Sequence, residues 1–84
     1  MSEDIHALAD AAQAVYFRGH LQQERADLTV ELAHYTKTLT ACMVAGDMRR
    51  VGDLRWRIRT IEGTLRNIDR MVAALDDRFP DERG

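Results

Sequence analysis

The second half of the chain carries an unbroken stripe of apolar side chains spaced alternately three and four residues apart. The stripe consists of Val51, Leu54, Ile58, Ile61, Leu65, Ile68, Val72, Leu75 and Phe79. Steps of three and four average 3.5 residues, so these side chains stay on one side of a slightly under-wound α-helix and need a partner helix to bury them. The spacing predicts a long, coiled-coil-like helix over about residues 48–79.

A tight turn is predicted immediately before this helix. Gly46 suits the left-handed conformation that ends one helix, and Asp47 suits the N-cap of the next. Residues 45–47 should therefore form the turn that joins a first helix, about residues 3–44, to the second.

Folding the chain at Gly46 places a residue a given number of positions before the turn beside the residue the same number after it. Residues 20–44 then cover about 48–72, and their apolar stripes match. The prediction is a single all-α domain over residues 1–84, a long antiparallel helical hairpin whose tail, residues 80–84, is frayed.

The first helix has two apolar stripes that are out of phase. The early stripe is Ile5, Leu8, Ala12 and Val15, and the later one is Leu21, Leu28, Leu32, Tyr35, Leu39 and Cys42. The slip falls near Gly19, and a glycine inside a helix costs about 1 kcal/mol relative to alanine. Two interpretations remain open: one helix with a kink at Gly19, or a break there that leaves residues 3–18 as a separate short helix.

The second helix also has a second stripe, of apolar and small residues, on the side away from the first. Its members are Trp56, Thr60, Gly63, Asn67 and Ala74. A chain of 84 residues buries only about 60% of the surface that its unfolded form exposes. The stripe therefore predicts a homodimer interface that builds a four-helix bundle from two hairpins. The alternative is a three-helix monomer in which residues 3–18 fold back over this face.

The balance of charge excludes a protein that is attracted as a whole to nucleic acid or anionic lipid, because 12 basic side chains nearly cancel 14 acidic ones. No apolar run approaches the roughly 18 residues of a membrane span, and the acidic start differs from a secretory signal. Cys42 has no second cysteine with which to form an internal disulfide. The predicted location is the cytoplasm, with no membrane partner.

Nothing in the sequence indicates an enzyme or a cofactor. Cys42 lies on the apolar stripe, where a buried thiol is inert, and no histidine lies near it on the same helix. The sequence therefore predicts a protein without catalytic residues.

One polar stripe contains side chains that could bind a metal. It comprises His20, Glu24, Asp27, Glu31 and His34. Glu31 and His34 have the Glu-x-x-His spacing of ferritin-like di-iron bundles. The second helix offers only Glu62, so the sequence predicts a solvated acidic face and no metal, with Glu31 pairing with Arg57 or Arg59 across the hairpin. A metal-binding half-bundle is an alternative.

The segment from Met48 to Arg59 is the only basic patch, with five arginines against one aspartate. The predicted partner-binding residues are Arg49, Arg50, Arg55, Trp56, Arg57 and Arg59. Arginine and tryptophan are the residue types most enriched at binding hot spots. The predicted function is thus a homodimeric interaction module, an adaptor, inhibitor or assembly factor that binds another protein. An alternative is a regulator that binds nucleic acid through the arginines.

Overall fold

The protein is an all-helical hairpin. The computed structural model describes the backbone of residues 2–79 and the side chains of residues 9–79. Helix α1 spans Ser2–Ala45, helix α2 spans Met48–Arg78, and the two pack against each other. The predicted helical hairpin is confirmed, whereas the tail predicted to fray, 80–84, lies outside the described residues.

The turn between the helices forms as the sequence predicts. Gly46 has a φ of 75°, in the left-handed region that a residue with a Cβ rarely adopts. The N–H of Gly46 donates to Met43 O at 3.2 Å and that of Asp47 to Cys42 O at 3.0 Å, which is the Schellman pairing that satisfies the last carbonyls of a helix. The Asp47 carboxylate then accepts from the backbone N–H of Arg50 at 3.3 Å and caps α2.

The core is a single seam between the two helices. On α2 the seam buries Val51, Leu54, Ile61 and Ile68. On α1 it buries Ala14, Leu21 and Cys42. Tyr35 and Leu39 pack against the cluster next to the turn. The α2 side follows the predicted stripe, because alternating steps of three and four keep those side chains facing α1.

The early stripe predicted on α1 is wrong at the two positions whose side chains are described. Ala12 and Val15 are exposed, and Ala14 is buried instead. Helix α1 continues through Gly19 without interruption, so residues 3–18 do not fold back as a third helix. Toward the amino end of α1, the seam continues from Leu21 through Arg18 to Ala14. Because Arg18 is charged, the apolar pattern of the sequence does not show this continuation.

Two ion pairs mark the alignment of the helices. Arg25 Nε lies 2.7 Å from Asp69 Oδ1, and Arg18 Nε lies 2.8 Å from Asp76 Oδ1. Arg18 also donates from Nη2 to the carbonyl oxygen of Phe79 at 3.1 Å. Both ion-paired aspartates lie within two residues of the position that folding at Gly46 predicts. The arginines are seven residues apart, as are the aspartates, so the pairs repeat with the seam.

The hairpin is long and exposes much of its surface. It measures 66 × 20 × 15 Å, with a radius of gyration of 18.7 Å, whereas a compact chain of this length has about 12 Å. Its accessible surface is 6833 Å². A compact monomer of this mass exposes about 5,100 Å². Two helices make a single layer, so their outward sides stay open to water or to a partner.

Replacing Gly46 by alanine should destabilise the hairpin by about 1 kcal/mol, because a Cβ disfavours the positive φ at this position. Gly19→Ala is the matched control, since a Cβ there meets nothing within 4 Å in a helical conformation. It should stabilise the protein by about 0.5 to 1 kcal/mol. Urea unfolding at one fixed protein concentration measures both. Equal effects of the same sign would contradict the assignment of strain to Gly46 alone.

Candidate functional site

One flank of the hairpin carries a row of shallow clefts between α1 and α2. We call it the Trp56 flank, after the large aromatic side chain exposed there. Its α2 side is formed by residues at seven-residue intervals, namely Arg50, Arg57, Thr64, Met71 and Arg78. The ion-paired Asp69 and Asp76 lie about 160° away from Met71 and Arg78 around α2, at 100° per residue. The two flanks therefore differ in chemistry.

The cleft nearest the turn is polar and carries two arginines. Its lining residues are His34, Tyr35, Thr38, Arg50, Asp53, Leu54 and Arg57. Arg57 donates from Nη1 to the Tyr35 hydroxyl at 3.4 Å, and its guanidinium carbon lies 5.8 Å from the centre of the Tyr35 ring. This contact holds the Arg57 head group at the cleft, beside Arg50. The cleft is suited to an anionic group of a partner, with Asp53 as an opposing charge.

The middle cleft contains the only tryptophan. It is lined by Glu31, Tyr35, Trp56, Arg57, Thr60 and Ile61. Trp56 is 63% exposed. An indole presents a large apolar area at a low cost in conformational entropy, and tryptophan is enriched at binding hot spots for that reason. Trp56 is thus the side chain of this flank best suited to be buried in an interface with another molecule.

The cleft at the open end of the hairpin is mainly apolar. Its lining residues are Phe17, Met71, Ala74, Leu75 and Arg78. A neighbouring cleft shares three of these and adds Asp10, Gln13, Ala14 and Phe79. Phe17 is 49% exposed and Met71 is 43% exposed. Phe17 and Met71 were not among the predicted site residues, because neither lies on a stripe of its own helix; the packing of α1 on α2 brings them together.

The structure distributes the predicted partner-binding residues over three sides of α2. At 100° per residue, Arg50 and Arg57 share one direction, Arg49 and Trp56 a second, and Arg55 and Arg59 a third. The third direction lies about 160° from Arg57. Arg50 and Arg57 line the cleft nearest the turn, whereas Arg55 and Arg59 line none of these clefts. The patch is continuous in sequence but divided in space.

The predicted dimer residues lie on the outer side of α2, toward the Trp56 flank. On an α-helix, Trp56, Thr60, Gly63, Asn67 and Ala74 point within about 40° of one direction. Four of them are exposed, and Gly63 is half-buried. A Cβ on Gly63 would meet only the flexible end of Arg66, at 3.7 Å. The hairpin by itself therefore does not require glycine at this position.

The predicted metal candidates Glu31 and His34 line different clefts, Glu31 beside Trp56 and His34 beside Arg50. Among the side chains of residues 9–79, no three His, Cys, Asp or Glu groups lie close enough together to hold a metal ion. The ion pair predicted between Glu31 and Arg57 or Arg59 is absent from this part of the chain, where the ion pairs join α1 arginines to α2 aspartates instead.

Sequence reasoning missed the two ion pairs on the flank opposite Trp56. Arg18 and Arg25 lie on the continuation of the α1 seam, at positions where apolar side chains are expected. The signal for them is that long cations are compatible with seam positions, because Arg and Lys can lie along apolar surface with their charge in water. Asp69 and Asp76 repeat at the same seven-residue interval on α2.

The chain matches no family model, no curated protein and no solved structure. Over the part of the chain that the structure describes, neither helix has an apolar stretch long enough to cross a membrane. The clefts and the surface that the hairpin leaves exposed are therefore the features that indicate a function.

The ion pair between Arg25 and Asp69 shifts the ionisation of both groups. The hydrogen bond from Arg25 lowers the pKa of Asp69 below its ordinary value; desolvation of the carboxylate opposes this effect, and the guanidinium charge adds to it. The same hydrogen bond raises the pKa of Arg25. Both side chains are about half exposed, so the pair aligns the helices more than it stabilises them.

The pKa of Asp69, followed by NMR, should lie below the ordinary value of about 3.9 in the wild type and return toward it in Arg25→Gln. A carboxylate whose pKa is lower in the folded than in the unfolded state stabilises the protein at pH values above its unfolded-state pKa. This stabilisation is lost as the pH falls through its folded-state pKa. The wild type should therefore lose more stability than Arg25→Gln below about pH 4. Arg49→Gln, which removes a charge 20 residues away on α2, is the control and should leave the pKa of Asp69 unchanged.

Proposed function

We propose that this chain is a non-enzymatic helical-hairpin interaction module that works as a homodimer and binds another protein, as an adaptor, inhibitor or assembly factor of the cytoplasm. The observation that carries the proposal is the exposed Trp56, on a stripe of small side chains that the hairpin does not bury. Two hairpins that pack through this stripe form a four-helix bundle.

The amount of exposed surface supports a dimer. The chain exposes about 1,700 Å² more than a compact monomer of its mass. A standard protein interface buries about 800 Å² on each partner. The excess is therefore large enough for one such interface on each hairpin and leaves further surface for an outside partner.

The two arginines of the cleft nearest the turn favour an acidic segment of another protein as that partner. Arg50 and Arg57 line this cleft together, and Tyr35 positions the Arg57 guanidinium there. Arginine binds carboxylates through two parallel hydrogen bonds, which gives it geometric as well as electrostatic selectivity. The opposite side of α2 presents Arg55 and Arg59 without a cleft, and this difference provides a test.

Light scattering after size-exclusion chromatography should give the mass of a dimer at micromolar concentration. Gly63→Leu should shift the protein toward monomer, because a branched side chain at the centre of the stripe keeps the two α2 helices apart. Gly19→Leu is the control and should remain dimeric, since Gly19 lies on α1 with open space around it. A strictly monomeric wild type would refute the homodimer.

Arg50→Glu combined with Arg57→Glu should abolish capture of the partner from extracts of the native cell, followed by mass spectrometry, while the protein stays folded and dimeric. The matched control is Arg55→Glu combined with Arg59→Glu, which changes the charge equally on the other side of α2. It should retain the partner. Loss of the partner with both double variants would show that net charge, not the cleft, attracts it.

Binding to duplex DNA or RNA tests the alternative of a nucleic-acid regulator. Fluorescence anisotropy at about 50 and 200 mM salt is the measurement, because contacts with phosphates lose affinity steeply over that range as counterions are released. The proposed function predicts weak binding that the two double variants reduce alike. Tight, salt-sensitive binding that depends on Arg50 and Arg57 would favour the nucleic-acid regulator over the protein-binding module.

A further inference from the structure

The Trp56 flank carries both a projection and a recess of matching chemistry. Trp56 projects from the middle of the flank, and the apolar cleft of Phe17, Met71, Ala74 and Leu75 lies at its open end. Trp56 cannot reach this cleft within its own hairpin, because Trp56 and Met71 are 15 residues apart, about 22 Å along α2.

A second copy of the chain can bring the two features together. The midpoint between Trp56 and Met71 falls at residues 63 and 64, and that between Trp56 and Ala74 at residue 65. If two α2 helices run antiparallel across a two-fold axis near Gly63, the Trp56 side chain of each copy lies level with the apolar cleft of the other. The interface is then isologous, and both contacts form at once.

The small side chains of the stripe lie where the two α2 helices of this arrangement come closest to each other. Gly63 is nearest the axis, and Thr60 and Asn67 lie on either side of it. Since a Cβ on Gly63 would meet nothing closer than 3.7 Å within the hairpin, the glycine leaves space that a second helix can occupy. The tightest contact and the two tryptophan contacts are thus arranged symmetrically along α2.

The charges of α2 favour the antiparallel direction over the parallel one. Residues 48–59 carry five arginines and one aspartate, whereas residues 62–78 carry four acidic and three basic side chains. A parallel dimer would place ten arginines of two basic segments side by side. The antiparallel dimer separates these segments and sets each one against the mildly acidic half of the other copy, where Asp77 lies on the side of the stripe.

We infer that the occupant of the apolar open-end cleft is Trp56 of a second copy, in an antiparallel dimer centred near Gly63. The inference rests on the proposed homodimer and specifies its geometry. Phe17 and Met71 become interface residues together with the stripe. Burial of Trp56 and of the cleft lining supplies the desolvated aromatic contact that dominates the energy of many interfaces.

Cross-linking through introduced cysteines tests the direction of the helices. Thr60→Cys and Asn67→Cys are prepared separately, mixed, allowed to exchange subunits and treated with a short bismaleimide. In the antiparallel dimer the mixture should give a cross-linked heterodimer, and neither variant alone should cross-link. The wild type is the control, since its only cysteine, Cys42, is buried in the seam. Cross-linking of each variant to itself would indicate a parallel dimer and overturn the inference.

The fluorescence of Trp56 tests the occupant of the cleft directly, because this is the only tryptophan in the chain. Dilution from dimer to monomer should shift the emission maximum to longer wavelength as the indole enters water. Met71→Arg should cause the same shift at concentrations where the wild type is dimeric, and should weaken the dimer Kd by about 30-fold. Val44→Arg is the control, since Val44 is 86% exposed and lines none of these clefts.

Two results separate this inference from the proposed function. A wild-type protein that stays monomeric in light scattering refutes the homodimer and the inference together. A protein that is dimeric, but whose Trp56 emission and dimer Kd are unaffected by Met71→Arg, keeps the homodimer and refutes the Trp56 contact alone. Circular dichroism of each variant confirms that the hairpin is still folded.

Discussion

The antiparallel seam between α1 and α2 is the contact on which the other features of this hairpin depend. Alternating steps of three and four residues place one row of side chains from each helix against the other, and Val51, Leu54, Ile61 and Ile68 lose nearly all contact with water there. Two helices offer only this one layer of burial. Outward side chains such as Trp56 therefore stay exposed, and the clefts between the helices stay open because residues 2–79 form no third helix to cover them.

Groups that are not apolar mark the alignment of the seam. The turn at Gly46 limits the possible offsets, and Arg18 and Arg25 then reach aspartates on one flank of α2. A polar side chain at a seam position costs some burial but disfavours other alignments, as in coiled coils. The ion pairs occupy one flank, whereas Phe17, Met71 and Trp56 are exposed toward the other. The two flanks therefore differ in chemistry, and the proposed association uses the flank that lacks the two ion pairs.

The candidate site was only partly predictable. The residue types at Trp56, Arg50 and Arg57 indicated a binding surface, and the structure places these residues on neighbouring clefts. Arg55 and Arg59 each lie two residues from Arg57 in the sequence. They nevertheless point to the other side of α2, because two residues rotate a helix by about 200°. The open-end cleft has no sequence signal, because Phe17 and Met71 come from different helices and meet only through the offset of the seam.

The sequence by itself determined the two helices, the turn and the buried side of α2, because helical period and turn chemistry are local properties that a few residues encode. Only the tertiary structure decided which side of α1 faces α2 near the amino end of α1. Ala14 and not Val15 faces inward, and beside it Arg18 pairs with Asp76, which lies 58 residues later in the chain. Which exposed side chains share a cleft is likewise a property of two helices together, and neither helix encodes it alone.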